Sequence, residues 1–237
     1  MPVKLLMNNR LLVKIQLKLN LSHAWVKTVA EAKIIQEQLR HQVITVDRLE
    51  EVKYVAGVDI GFEDNYAISK AAVAVLTYPG LELVEQAIAR IPTAFPYVPG
   101  YLSFREIPAI LAAFPKIKTV PDLILCDGQG LAHPRRLGLA CHLGVLLDIP
   151  TIGVAKSLLV GKHEEVPLEK GSWQPLLDKD ETIGVVLRSR TKVKPIYISV
   201  GHRISLPTAV NYVMECLTKY RLPETTRWAD KLASHKK

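Results

Sequence analysis

The spacing of hydrophobic positions predicts a chain that alternates strands with helices. Thr28 and Glu31 have the spacing of a helix-capping box, and apolar residues recur at helical intervals from there to about His41. Three apolar runs typical of strands follow, at residues 52–60, 71–78 and 83–89. Pro79-Gly80 marks a turn between the second and third runs. Because these runs lie close together along the chain, we predict that they pair as antiparallel strands.

Farther along the chain, helices and short buried strands are predicted to alternate. The helices are predicted at 102–114, 134–147 and 206–220, and the strands at 122–126, 151–155, 182–187 and 196–200. The polar stretch 164–181 is predicted to be irregular. Strands that are separated by helices favour parallel crossover connections. We therefore predict an α/β fold with a ribonuclease H-like mixed β-sheet flanked by helices.

The beginning of the chain follows a different pattern. Hydrophobic and polar residues alternate over residues 13–21, which predicts a strand, and basic residues prevent a signal-peptide hydrophobic region. We expect residues 1–21 to form an N-terminal extension of unknown role and residues 22–237 to form a single domain.

Composition narrows the class of protein. Of the 237 residues, 49% are hydrophobic and 23% are charged, which is enough apolar surface for a core and excludes disorder throughout. No apolar run reaches the ~18 residues that a membrane-spanning helix needs. The three cysteines have no CxxC spacing, which argues against a disulfide scaffold or a structural zinc site and favours a cytoplasmic location.

Positive charge is concentrated toward the end of the chain. Residues 186–237 contain 11 Lys and Arg but only 3 Asp and Glu, whereas the first 185 residues contain 20 of each kind. Such a segment either presents an ordinary solvated basic face or binds a polyanion such as nucleic acid.

Two aspartates lie where buried strands are predicted to end. Asp59 follows the apolar residues of the first strand, and Asp127 follows those of the fourth. These strands are neighbours in the predicted topology, so the two carboxylates would meet and a divalent cation would relieve their repulsion. Oxygen ligands favour Mg²⁺ or Mn²⁺ over zinc. Glu106, near a helix start, could add a third oxygen. Alternatively, Glu106 is a solvated helical acid, and Asp59 or Asp127 is a turn or cap residue.

Basic and aromatic residues surround these acids in the sequence. His133 precedes Pro134 and could contact phosphate or metal, shuttle a proton, or simply cap a helix. Lys156 follows a buried strand and could stabilise phosphoryl charge, although a lysine at a strand end is often only at the surface. The Pro-rich loop around Tyr97 is stiff, so its aromatic tip could insert between bases or pack against the protein.

Several stretches of the chain resemble endonuclease V, a family of metal-dependent repair nucleases. Residues 96–106 read PYVPGYLSFRE, and residues 127–138 read DGQGLAHPRRLG. The stretches 58–60, 141–144, 148–157, 201–205 and 221–223 extend the resemblance over about residues 25–233.

The resemblance implies a role for each matching residue. Asp59, Glu106 and Asp127 would bind Mg²⁺, with Mn²⁺ able to substitute, and His133 and Lys156 would complete the catalytic set. The strand-separating wedge would be Pro96, Tyr97, Val98 and Pro99, and the hypoxanthine pocket would be Gly100, Leu102 and Gly128. The residues expected to contact the DNA backbone are Arg105, Arg135, Arg136 and His202.

The implied activity is hydrolysis of the second phosphodiester bond 3′ to deoxyinosine, which leaves a 3′-hydroxyl and a 5′-phosphate. Inosine-containing RNA is a possible second substrate, and we expect a monomer. Two alternatives remain at this stage. The first is a sugar-kinase or actin-like ATPase, a class that has the ribonuclease H-like core but requires two copies of it. The second is a non-catalytic nucleic-acid binder, which would not need the three acids.

Overall fold

The computed structural model describes residues 23–234 and is built on one eight-stranded sheet. Its strands are β1 (Tyr54–Glu63), β2 (Ile68–Thr77), β3 (Leu83–Pro92), β4 (Leu123–Cys126), β5 (Thr151–Ala155), β6 (Trp173–Asp178), β7 (Glu181–Leu187) and β8 (Ile196–His202). They lie in the order β3-β2-β1-β4-β5-β8-β7-β6. The strand predicted over residues 13–21 lies outside the described residues.

Within residues 23–234, five α-helices flank the sheet. They are α1 (Val29–Leu39), α2 (Leu102–Ala113), α3 (Leu139–Leu147), α4 (Leu206–Glu215) and α5 (Glu224–Ala233). The capping box is confirmed at the start of α1, where the Thr28 side chain accepts a hydrogen bond from the Glu31 amide. Short 3₁₀ turns, Arg40–Gln42 and Phe114–Lys116, follow α1 and α2.

The strand pairing confirms most of the predicted topology. β1, β2 and β3 form an antiparallel meander, and β1 pairs parallel with β4, which pairs parallel with β5. The sheet is mixed because β8 runs antiparallel to both β5 and β7. The expectation of parallel crossovers therefore holds for β4 and β5 but is wrong for the last strands.

Each face of the sheet has its own hydrophobic core. The central strands are buried on both faces, so their sequences are almost continuously apolar. On one face, Val58, Val73 and Ile124 pack with α2 and α3. On the other face, Leu125 and Ile198 pack among side chains from α4 and α5. The parallel strands β1, β4 and β5 all end at one edge of the sheet, and the candidate site lies there.

Three predicted segments differ from the structure. The stretch predicted to be irregular contains β6, an edge strand in which Trp173 and Leu177 are exposed and Pro175 interrupts the pattern. The helix predicted from residue 134 begins only at Leu139, because residues 134–138 form a turn in which Arg136 has a φ of 56°. The basic tail contains a helix, α5, that the sequence pattern did not reveal.

The last long helix was also predicted to extend too far. α4 ends at Glu215 rather than near residue 220, since the chain turns back and the Glu224 amide donates to the Cys216 carbonyl. No helix among residues 23–234 is both long and apolar enough to cross a membrane.

Candidate active site

Three aspartates converge where the parallel pairing of β1 with β4 ends, although β1 itself continues to Glu63. Val58 is paired with Cys126 in the parallel register, so the next residue of each chain segment, Asp59 and Asp127, lie side by side. The third is Asp230, which comes from α5. One carboxylate oxygen of each aspartate lies within 4.8 Å of the other two. The predicted meeting of Asp59 and Asp127 is confirmed.

Asp230 reaches the site because α5 lies directly against β1. Gly57 and Gly61 face this helix, and a Cβ atom at these positions would lie 1.9 Å from the Thr225 carbonyl oxygen and 2.3 Å from the Ala233 carbonyl oxygen. Sequence reasoning missed Asp230 because it treated this segment only as a basic tail. The available signal was the helical spacing of its apolar residues, although the segment contains two acids, Glu224 and Asp230.

Burial and mutual repulsion raise the pKa values of Asp59 and Glu106. Burial is the main cause that raises the pKa of Asp59 to about 7, and the negative charge of Asp127 contributes second. Burial, followed by the charges of Asp59 and Asp127, raises the pKa of Glu106 to about 8. Glu106 therefore lies near enough to interact electrostatically with both aspartates, although it is not among the three with oxygens within 4.8 Å. A bound cation would reverse these shifts.

Lys156 lies beside the aspartates, immediately after β5. Its ammonium group forms an ion pair with Asp127, and its Nζ atom lies 3.4 Å from Oδ1 of Asp230. Burial opposes the charged form, but the carboxylates outweigh it and raise the pKa of Lys156. The lysine predicted to point toward the site is therefore charged and in contact with two of its acids.

A pocket of about 360 Å³ adjoins the carboxylates. Two acids, Glu106 and Asp127, line this pocket together with the basic Lys156. All three residues predicted for a base pocket also line it, and these are Gly100, Leu102 and Gly128. Tyr97 and Pro99 stand at its mouth, where the Tyr97 side chain is 70% exposed. The buried Phe95 anchors one end of this loop.

His133 lines the same pocket, but its ring is not free. Its Nε2 atom donates to the Gly100 carbonyl oxygen at 2.9 Å, and its Nδ1 atom accepts from the Arg135 amide at 3.2 Å. These partners define the neutral tautomer, and burial lowers the pKa of His133 to about 4. As placed, the ring supports the Gly100 backbone, and contact with a metal or phosphate would break these bonds.

Comparison with known proteins assigns the family. A sequence model of endonuclease V matches residues 37–231. An endonuclease V from Rippkaea orientalis is 72% identical over 209 residues, covering 88% of this chain and 91% of the relative. The crystal structure of an endonuclease V from Streptomyces avermitilis has a TM-score of 0.84 and 44% identity, covering 89% of this chain and 93% of that one.

The chain belongs to the endonuclease V family. Membership confirms the predicted fold class and the prediction of an endonuclease, and it removes the basis for the ATPase alternative. An endonuclease V from Ciona intestinalis, 33% identical with a TM-score of 0.76, was solved in complex with a 24mer DNA containing an inosine. That alignment covers 86% of this chain and 95% of the Ciona chain.

The four residues predicted to contact the DNA backbone have different surroundings in this chain. Arg105 is buried, donates to the Phe95 carbonyl oxygen at 2.7 Å and lies over the Phe62 ring. Arg136 forms 2.7 Å ion pairs with Asp178 and Glu181. Both side chains are therefore engaged within the protein, and their contact with the DNA backbone stays a prediction.

His202 and Arg135 also have different surroundings. His202 is buried and pairs with Thr151, at the opposite end of β5 from Lys156, so it lies far from the site. Arg135 is near the pocket, but its Nη2 atom donates to the Gly100 carbonyl oxygen at 2.6 Å and its guanidinium group lies over the Tyr101 ring. His202 therefore lies away from the pocket and Arg135 shapes it, while the contact of either residue with DNA stays a prediction.

Proposed function

We propose that the chain is a divalent-cation-dependent endonuclease of DNA repair that cuts the second phosphodiester bond 3′ to deoxyinosine. The products would be a 3′-hydroxyl and a 5′-phosphate. The observation that carries this proposal is the cluster of Asp59, Asp127 and Asp230 at the edge of a pocket large enough for a small ligand. The relative solved with inosine-containing DNA supports the choice of substrate.

The donor set fits a hard divalent cation. All three converging groups are carboxylates, and oxygen ligands suit Mg²⁺, with Mn²⁺ able to substitute. Such an ion would lower the pKa of a bound water and offset charge on the phosphate. Asp59, Asp127 and Asp230 would hold it, and Glu106 would complete the site directly or through water. The raised pKa values of Asp59 and Glu106 are expected of acids that give up protons when a cation binds.

Lys156 would act on the phosphate. Its ammonium group already lies among the carboxylates, so it can donate to the attacking water or to a phosphoryl oxygen without a large movement. Its positive charge would stabilise the additional negative charge of the pentavalent phosphorus. A cation that takes over the carboxylates would release Lys156 toward the substrate.

The pocket would receive the damaged base after it leaves the duplex. A mismatched base unstacks at lower cost than a paired one, which favours deaminated adenine. The exposed Tyr97 and its neighbouring prolines form a stiff tip that can occupy the resulting gap. Gly128 lines the pocket and directly follows Asp127 in the chain. This arrangement separates recognition of the base from hydrolysis beside it.

The cysteines support the compartment proposed for the enzyme. Cys126, Cys141 and Cys216 are all free and buried, which suits a reducing compartment, and we place the activity in the cytoplasm. Inosine-containing RNA is proposed as a second substrate, to be ranked against DNA by experiment.

A gel assay on an end-labelled duplex with one deoxyinosine tests the proposal. Mg²⁺ should produce a nick at the second bond 3′ to the inosine, and EDTA should abolish it. Asp59→Ala and Asp127→Ala should each lose cleavage by several orders of magnitude, because each removes a carboxylate of the site. The exposed Asp180→Ala variant is the matched control and should cleave like the parent.

Parallel lanes with inosine RNA and an undamaged duplex rank the substrates. Full activity of both the Asp59 and Asp127 variants in Mg²⁺ would contradict the metal assignment. A folded parent protein that binds DNA but cuts neither polymer, even with Mn²⁺, would instead indicate the non-catalytic binder.

A further inference from the structure

One backbone carbonyl beside the pocket, that of Gly100, accepts three hydrogen bonds. Its donors are Arg135 Nη2 at 2.6 Å, His133 Nε2 at 2.9 Å and Gln36 Nε2 at 3.0 Å. A carbonyl oxygen has two lone pairs, so three donors saturate it and leave no capacity for a ligand. The Gly100 carbonyl therefore serves to hold the loop that leads from the wedge to α2.

Gln36 is the unexpected member of this group. It is fully buried on α1, an element that contributes nothing to the carboxylates, and it precedes the part of the chain that the family model matches. Its Nε2 atom also lies 3.4 Å from the Leu137 carbonyl oxygen. The amide thus joins the loop at Gly100 to the turn at Leu137, and both segments border the pocket.

The contacts of Gln36 define the orientation of its amide. Nε2 faces two carbonyl oxygens, while Oε1 accepts from Arg135 Nε at 2.5 Å. A flipped amide would place its oxygen against both carbonyls and its NH₂ group against a guanidinium group, so every contact would become repulsive. Gln36 therefore holds Arg135 at one end and Gly100 at the other.

We propose that Gln36 is a positioning residue that fixes Gly100 and Arg135 and thereby sets the shape of the pocket that receives the base. The identity of the base rests on the proposed function, whereas the fixing of the loop does not. Gly100 has a φ of +81°, and a Cβ atom there would lie 3.0 Å from Arg135 Nη2, so the loop has little freedom once these bonds form.

Gln36→Met tests this proposal, because methionine keeps the length of the side chain but removes both polar ends. Gln38→Met is the matched control, since Gln38 lies on the same helix and is exposed. Gln36→Glu is a second variant that can keep Arg135 but cannot donate to Gly100. Two readouts are needed: hydrogen–deuterium exchange of residues 96–101, and KM and kcat on the deoxyinosine duplex.

In both Gln36 variants, the backbone amide hydrogens of residues 96–101 should exchange at least about tenfold faster than in the parent. The reason is that both variants lack the buried side-chain donor to the Gly100 carbonyl oxygen. KM should rise about tenfold, which corresponds to about 1.4 kcal/mol, while kcat stays within about twofold. Gln38→Met should match the parent in both readouts. If Gln36→Met does not fold, Gln36→Glu carries the same comparison.

Unchanged exchange of residues 96–101 in a Gln36 variant would overturn the proposal. So would a fall in kcat with no change in KM, which would indicate an effect on chemistry rather than on the pocket. If the parent itself cuts no substrate, the proposed function fails, and the exchange measurement still decides whether Gln36 holds the loop.

Discussion

At the scale of single residues, burial shifts the pKa of acids and bases around the pocket in opposite directions. It raises the pKa of Asp59 to about 7 and lowers that of His133 to about 4, since both groups favour the neutral form when desolvated. Near neutral pH the histidine is therefore neutral, and Asp59 is close to its titration midpoint. In this placement the neutral His133 ring holds the Gly100 backbone, whereas Asp59 is the group that we propose binds a cation.

The raised pKa of Asp59 predicts a stability that depends on pH. Between the ordinary value of 3.8 and about 7, the folded state binds more protons at Asp59 than the unfolded state does, so the free energy of unfolding falls as pH rises. Asparagine does not titrate. In EDTA, Asp59→Asn should therefore raise the free energy of unfolding relative to the parent by more at pH 8 than at pH 4. The difference between the two pH values should be on the order of a few kcal/mol.

Denaturant unfolding at several pH values measures this difference. The exposed Asp180→Asn variant controls for removal of one negative charge. Mg²⁺ should stabilise the parent at pH 8 and leave Asp59→Asn less affected, because a ligand stabilises only the state that binds it. A difference between variant and parent that is the same at both pH values would contradict the shifted pKa.

At the scale of secondary-structure elements, the contact between β1 and α5 decides whether the third aspartate reaches the site. The backbone of α5 can lie on the strand only where side chains are absent, and Gly57 and Gly61 supply those positions. Asp59 lies between them on the same face of β1. The same strand therefore carries one carboxylate and provides the surface on which the helix carrying Asp230 rests.

Gly57→Ala should disturb this contact. The new Cβ atom would lie 1.9 Å from the Thr225 carbonyl oxygen, so α5 must shift away from β1. We expect a loss of stability of about 1–3 kcal/mol, as for other overpacked positions. We also expect a higher Mg²⁺ concentration for half-maximal cleavage, since Asp230 would move away from Asp59 and Asp127.

Gly80→Ala is the control for Gly57→Ala, because its nearest neighbour would be only the Thr77 hydroxyl oxygen at 3.1 Å. Thermal unfolding and a Mg²⁺ titration of cleavage compare the two variants. An unaltered Mg²⁺ requirement in a destabilised Gly57→Ala protein would mean that Asp230 does not contribute to the cation site.

At the scale of the whole molecule, one part of the basic segment, the loop between β7 and β8, lies beside the site. Leu187 pairs with Ile196 and Tyr197 pairs with Ala155, so the loop between β7 and β8 lies at the same end of the sheet as Lys156. Arg221 ties these segments together by donating to the carbonyl oxygens of Lys156, Lys194 and Pro195. A groove of about 440 Å³ runs between them.

The exposed cations of this loop are suited to a polyanionic backbone. Arg190, Lys192 and Lys194 are exposed, and within residues 23–234 none of them forms an ion pair with an acid. Replacing all three with glutamine should weaken DNA binding, and it should make the slope of log K against log salt less steep by about 0.9 for each phosphate that the protein no longer neutralises. Fluorescence anisotropy on an undamaged duplex at several salt concentrations measures the slope.

A matched triple variant separates local contacts from total charge. Arg48, Lys53 and Lys118 are exposed near the beginnings of β1 and β4, at the opposite end of the sheet, and their replacement removes the same charge. If both triple variants reduce the slope equally, the β7–β8 loop has no special role and net charge alone attracts the polymer.

The sequence by itself determined most of the elements, and it placed one aspartate directly after the apolar residues of each of two neighbouring strands. Those features are local: a buried strand needs a continuous apolar run, and the polar residue that follows it stands at the edge of the sheet. The motifs around Tyr97 and Asp127 likewise identified the family from contiguous residues. β6 escaped prediction because an edge strand with exposed Trp173 and an internal proline lacks that apolar pattern.

Only the tertiary structure decided which distant residues share the site and which merely support it. Asp230 joins Asp59 because a helix rests on two glycines, and Gln36 meets Gly100 because α1 packs beside the pocket. His202 and Arg105 fall within matching motifs, yet they are buried and engaged within the protein. Spacing along the chain records local geometry, whereas side-chain partners depend on contacts between segments far apart in sequence, and those form only when the whole sheet assembles.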